Sequence, residues 1–170
     1  MSHLQFREVP EPFERRIELA KSGEESYDAN CHGTAFFLAG ILPYDVVVFQ
    51  APGANKNVED ATKIMEEVKT PQDNSICINY DSNGEIMHST FIQRANALGA
   101  WCRTGRRMAP FIPVNSMDYI QKELQHVFSD EIYRGEIDKF FPEKYFTFSR
   151  EKLIPWAEKV VTEYYPHWWA

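Results

Sequence analysis

Cysteine is scarce, and its count is odd. Cys31, Cys77 and Cys102 cannot make a complete set of disulfides, and three in 170 residues exclude the small cysteine-stapled scaffolds of secreted proteins. Positive charge is also short, with 18 Lys and Arg against 25 Asp and Glu and a net charge of −7. A nucleic-acid binder normally carries a basic face to neutralise phosphates, so nucleic acid is not an expected partner. The one basic cluster, Arg103, Arg106 and Arg107, reads as a solvated or ion-paired turn. No apolar run approaches the ~20 residues that cross a bilayer, so no integral membrane segment is expected. The opening stretch MSHLQFREVPEPFERRIELA is charged throughout and holds no signal-peptide core. The default location is therefore a reducing cytoplasm, with secretion as an effector left open.

What is present is the composition of an ordinary globular protein, 44% hydrophobic and 25% charged. Repeats, low-complexity tracts and dividing linkers are missing, so residues 1–170 are expected to form a single domain. The stretch PEPFERRIELAKSGEE carries Phe13, Ile17 and Leu19 before a Ser-Gly stop and predicts a first helix. A polar loop over 26–30 leads into an apolar segment, 34–42, closed by Gly40 and Pro43. Its length and small residues suit a buried helix that starts near Asn30 or Cys31. DVVVFQAP reads as a short strand or extended segment. NVEDATKIMEEVKT reads as an amphipathic helix with Val58, Ala61, Ile64, Met65 and Val68 on one side.

The pattern then changes period. SICINYDSNGEIMHSTFIQ is two apolar-rich runs around Asn83-Gly84, a hairpin signal because Asn-Gly accepts the left-handed turn. GAWCRTG is a possible third strand after the loop RANALG. Two helices close the pattern, NSMDYIQKELQHVF and SREKLIPWAEKVVTEYY, the latter bent or begun at Pro155. Helices at both ends of a small antiparallel meander give an α+β fold.

Chemistry centres on Cys31. At the first turn of a helix, free amides and the positive end of the dipole favour a thiolate. Gly33 leaves room for a substrate carbonyl, and the Cys31 amide can donate to a developing oxyanion. A thiolate needs a general acid/base, normally a histidine from elsewhere in the fold. His3 and His167 lie near the two ends, and His126 falls within an expected helix. His32 points about 100° away from Cys31 along the helix. His88 heads the apolar run STFIQ, where a sheet edge can hold an imidazole rigidly.

A cysteine opening a buried helix as NCHG, with HSTFIQRANALGAW beginning 57 positions later (88 − 31), resembles the papain-like cysteine hydrolases. The compact NlpC/P60 and CHAP branches are the most similar in layout. The resemblance covers about residues 26–104, leaving about 115–170 as a helical C-terminal extension. It departs from those families at Asn30, which stands for an aspartate, and at His32, which stands for a serine. The resemblance implies a papain-like core, no cofactor, and a peptide or other amide-containing substrate attacked by Cys31 with His88 as general acid/base. Gln93 and Asn96 are nearby amides able to orient His88. Tyr27 or Asn30 can complete an oxyanion hole, since Glu25 occupies the spacing where papain has a glutamine.

Two other classes compete. A non-catalytic protein-binding module on the same scaffold is favoured by the lack of an evident orienting residue among Trp101, Cys102, Arg103 and Thr104. A zinc site from Cys31, His32, His88 and Cys102 lacks any Cys-x-x-Cys or His-x-x-x-His unit, so no metal is expected. Cys77, alternating with Ile76 and Ile78, reads as packing that faces away from them. Oligomeric state is open.

Overall fold

In the computed structural model, the described residues are 12–22, 26–27, 31–46, 48, 56–80, 83–93, 96–100, 111–114 and 143–164. The first helix, α1 (Phe13–Ser22), follows its sequence pattern. Phe13, Arg16, Ile17, Leu19 and Ala20 turn inward while Glu14, Arg15 and Glu18 stay exposed. Arg16 is the unexpected member of that inner face. Its guanidinium donates to Phe37 O at 2.7 Å and Leu42 O at 2.9 Å, and lies 4.6 Å from the centre of the Phe37 ring.

Those carbonyls belong to the far end of α2 (Cys31–Leu38) and the turn beyond it. All eight residues of α2 are buried, so no polar face is needed and none is present. Gly40 ends the helix in the left-handed region, φ 77°, where a side chain would be strained. Gly40 N donates to Phe37 O and Ile41 N to Phe36 O, the paired bonds of a Schellman cap. Arg150 Nε donates to Gly40 O at 2.7 Å, so two arginines close this negative helix end.

The loop expected over 26–30 is in part a strand. β1 (Ser26–Tyr27) pairs in parallel with β2 (Asp45–Val46), so the chain enters and leaves α2 side by side. Next, α3 (Lys56–Ile64) buries Asn57, Val58 and Ala61. The amphipathic pattern overruns its end: residues 66–68 form β3 (Glu66–Val68), and Ile64 is left 40% exposed. A three-residue edge strand fits a helical period as well as a strand period, so pairing decides it.

The hairpin forms as its sequence predicts, from β4 (Ser75–Tyr80) and β5 (Ile86–Gln93), with Gly84 at φ 79°. A bulge falls between Asn79 and Tyr80, beyond which Tyr80 pairs with Ile86. β6 (Asn96–Ala100) starts inside RANALG, earlier than expected, and pairs with β7 (Phe111–Val114). The expected helix over NSMDYIQKELQHVF lies outside the described residues.

The segment expected to be a helical extension contributes to the centre of the sheet. β8 (Glu143–Thr147) inserts between β3 and β4, giving the antiparallel order β3-β8-β4-β5-β6-β7. The final helix, α4 (Arg150–Tyr164), starts before Pro155 and carries that proline on its exposed side. Trp156 of α4 donates to Asn57 O at 2.7 Å and packs on Phe36 with ring centres 4.8 Å apart. The result is α+β, with helices packed on one face of an antiparallel sheet.

Register sorts the sheet into rows. Phe146, Ile76, Phe91 and Leu98 lie abreast on four neighbouring strands, all buried, and Phe13 of α1 stacks 5.6 Å from Phe91. This is the helix-facing side and the heart of the core.

Candidate functional site

Cys31 is the first residue of α2 and is 2% exposed. The parallel pair β1–β2 fixes the chain just before it, and the two arginine clasps fix the far end of its helix. α2 packs against β5 and β6. Its tie to β5 is specific: His32 Nδ1 and Ser89 Oγ are 2.6 Å apart, with both side chains buried. The two residues that follow Cys31 and His88 in sequence are thus bonded to each other. The sequence pattern gave Ser89 no role and weighed His32 only as a ligand in the zinc alternative.

His88 is 7% exposed, and its Nδ1 has no hydrogen-bond partner. It pairs with Asn79 in the regular part of the β4–β5 ladder, where Ser89 pairs with Ile78. Successive strand residues point to opposite faces, so Ser89 faces α2 and the Cβ of His88 projects on the reverse side with Asn79. The ladder between β5 and β6 covers only Phe91 to Gln93. Beyond Phe91, the described β5–β6 ladder gives His88, Ser89 and Thr90 no strand partner on the β6 side.

The reverse face carries a second set of rows. Glu143, Asn79 and His88 stand abreast on β8, β4 and β5, and Tyr145, Cys77 and Thr90 form the next row. Tyr145 Oη donates to Glu143 Oε2 at 2.5 Å, and Asn79 Nδ2 donates to Glu143 Oε1 at 3.5 Å. Cys77 Sγ donates weakly to Asn79 Oδ1 at 3.9 Å. Burial, and then the negative charge of Glu143, push the Cys77 thiol well above its ordinary value. The Thr90 hydroxyl stands near enough to ease this slightly, yet it meets hydrogen-bond geometry with no partner. Cys77 is therefore held as a neutral thiol facing away from Ile76 and Ile78, as its alternation predicted. Burial and the Glu143 bond likewise raise the Tyr145 phenol.

The remaining sequence-nominated residues spread out. Gln93 sits five residues along β5 from His88, about 16 Å of extended chain, and its buried Oε1 has no hydrogen-bond partner. Asn96 pairs with Gln93 and shares that far end of the strand. Tyr27 pairs with Val46 in the short parallel bridge before α2. Asn30 and Cys102 lie outside the described residues. Asn79 and Glu143, the polar neighbours of His88 in its own row, were not nominated. A polar Asn79 in the apolar run SICINY was the available signal, whereas Glu143 needed the pairing of β8.

Among the described residues, no group of three or more His, Cys, Asp and Glu is arranged to hold a metal ion. Nor is any described helix long and apolar enough to cross a membrane. Comparison of the chain with protein-family models, curated proteins and solved structures gave no match.

Proposed function

We propose that the chain is a thiol-dependent hydrolase or acyltransferase acting on an amide bond, with Cys31 as nucleophile and His88 as general acid/base. The observation that carries this reading is the His32–Ser89 hydrogen bond, which ties the start of α2 to the strand that bears His88. A cysteine at a helix start sits at the positive end of the helix dipole, which favours a thiolate. A histidine whose Nδ1 is unengaged can take either tautomer. In the reaction, Cys31 Sγ attacks the carbonyl carbon and His88 gives its proton to the departing amine as the C–N bond breaks. Water, or a second amine, then attacks the thioester, and the thiol is released.

A second reading, a non-catalytic binding module, is favoured by the alternation that turns the His88 Cβ away from the helix side. The rate of Cys31 alkylation by iodoacetamide against pH, followed site by site by mass spectrometry, separates the two. For the hydrolase, Cys31 titrates well below the free-thiol value of about 8.5, and His88→Ala slows it near neutral pH. A Cys31 that reacts like a free thiol whichever residue stands at 88 leaves the binding module as the function.

A further inference from the structure

The two-row polar grid on the reverse face is satisfied at one end and open at the other. On β8 and β4 the groups answer one another, Tyr145 to Glu143, Asn79 to Glu143 and Cys77 to Asn79. On β5 the two members, His88 and Thr90, are 7% and 0% exposed, and His88 Nδ1 and Thr90 Oγ1 both lack a partner. A buried polar atom left unpaired is costly, and two side by side on one face point to a group the protein is built to receive. They also lie beyond the described β5–β6 ladder, which covers only Phe91 to Gln93.

We propose that His88 and Thr90 form a subsite for an uncharged carboxamide. Side chains two residues apart on one strand face stand about 6.7 Å apart, a gap that an amide fills with one end bonded to each. Both protein groups are able to donate or accept, and a carboxamide offers one atom of each kind. A carboxylate is disfavoured by Glu143 in the same row. An ammonium has three donors and no acceptor, so it cannot answer groups that both donate and accept, and the neutral His88 and Thr90 replace little of its water. This inference rests on the hydrolase reading only in its use: there, the subsite holds an amide of the substrate beside the acid/base. The binding site itself stands independently.

The test is an NMR titration of the full chain, labelled in its histidine rings, with acetamide, acetate and methylammonium as probes of similar size and different charge. Acetamide is expected to shift the His88 ring signals saturably, and the two ions are not. Thr90→Val keeps the shape of the side chain and removes its hydroxyl, and it is expected to weaken acetamide binding about tenfold. Absence of a saturable shift, equal shifts from all three probes, or unchanged binding in Thr90→Val would each overturn the proposal and leave the two groups to buried water. If acetamide binds while Cys31 proves inert to alkylation, the hydrolase reading falls and the subsite stands. If Cys31 is activated and acetamide does not bind, the reverse holds.

Discussion

The sheet has two buried faces built on different terms. On the helix side, Phe146, Ile76, Phe91 and Leu98 form an apolar row under α1 and α2, with the polar pair Ser89 and His32 beside it. On the reverse side the same strands present Glu143, Asn79 and His88, then Tyr145, Cys77 and Thr90. The first face holds the fold by area removed from water, which is non-directional and tolerant. The second is held by specific partners, and its members have different fates according to whether a partner is present. The same backbone therefore presents an apolar face on one side and a polar, partner-dependent face on the other.

The largest effect expected is on the apolar face. Phe91→Ala empties the centre of the row and should cost about 3–5 kcal/mol in urea unfolding, a large share of the total stability of a domain of this size. A loss below about 1 kcal/mol would mean that the row is not the core. Ser89→Ala sharpens the contrast, since it removes the hydroxyl bonded to the buried His32 Nδ1. A cost of about 1–3 kcal/mol is expected, and a double-mutant cycle with His32→Leu should recover part of it.

On the reverse face the expected effects are smaller and partly depend on pH. Because the Cys77 thiol is raised, the folded chain keeps a proton there that the unfolded chain releases above about pH 8.5. Stability is therefore full below that pH and falls as pH rises beyond it. Thermal midpoints measured from pH 7 to 10 should show the decline, and Cys77→Ala should flatten it. An equal slope in both chains would remove Cys77 as the cause. The smallest change is expected for Thr90→Val, within about 0.5 kcal/mol of the parent or more stable, because the hydroxyl it deletes has no partner to lose. A cost above about 1 kcal/mol would show that the hydroxyl is paired, and would close the open end of the grid.

Much of the helix side was legible in the sequence because its signals are local. The turn at Asn83-Gly84, the alternation of SICINY and the stop at Gly40 each depend on residues within a few positions, and each appears where expected. Failures occurred where pairing at a distance decided the outcome. Glu66–Val68 continues a helical pattern, and only β8 makes it a strand. Residues 143–147 lie between expected helices and carry too few apolar positions to announce a central strand. The candidate site divides along the same line. Cys31 at the head of its helix and His88 on its strand were readable from local context. The Glu143–Asn79–His88 row was not, because register across three strands places those residues abreast. The tie between His32 and Ser89 was likewise hidden, since a histidine beside a cysteine and a serine beside a histidine carry no mark of their own.

The insertion of β8 between β3 and β4 also sets an order of assembly. A nascent chain emerging from its N-terminus can close the β4–β5 hairpin early, because both strands are close in sequence. The other edge of β4 and the whole of β3 must wait for residue 143, 75 positions beyond the end of β3 (143 − 68). During that interval the outer edge of the hairpin presents unpaired amides and carbonyls, an invitation to strands of other chains. Synthesis halted before residue 143 should thus yield aggregates rather than a smaller folded unit, which makes the stretch from residue 143 onward the step at which the chain becomes safe to release.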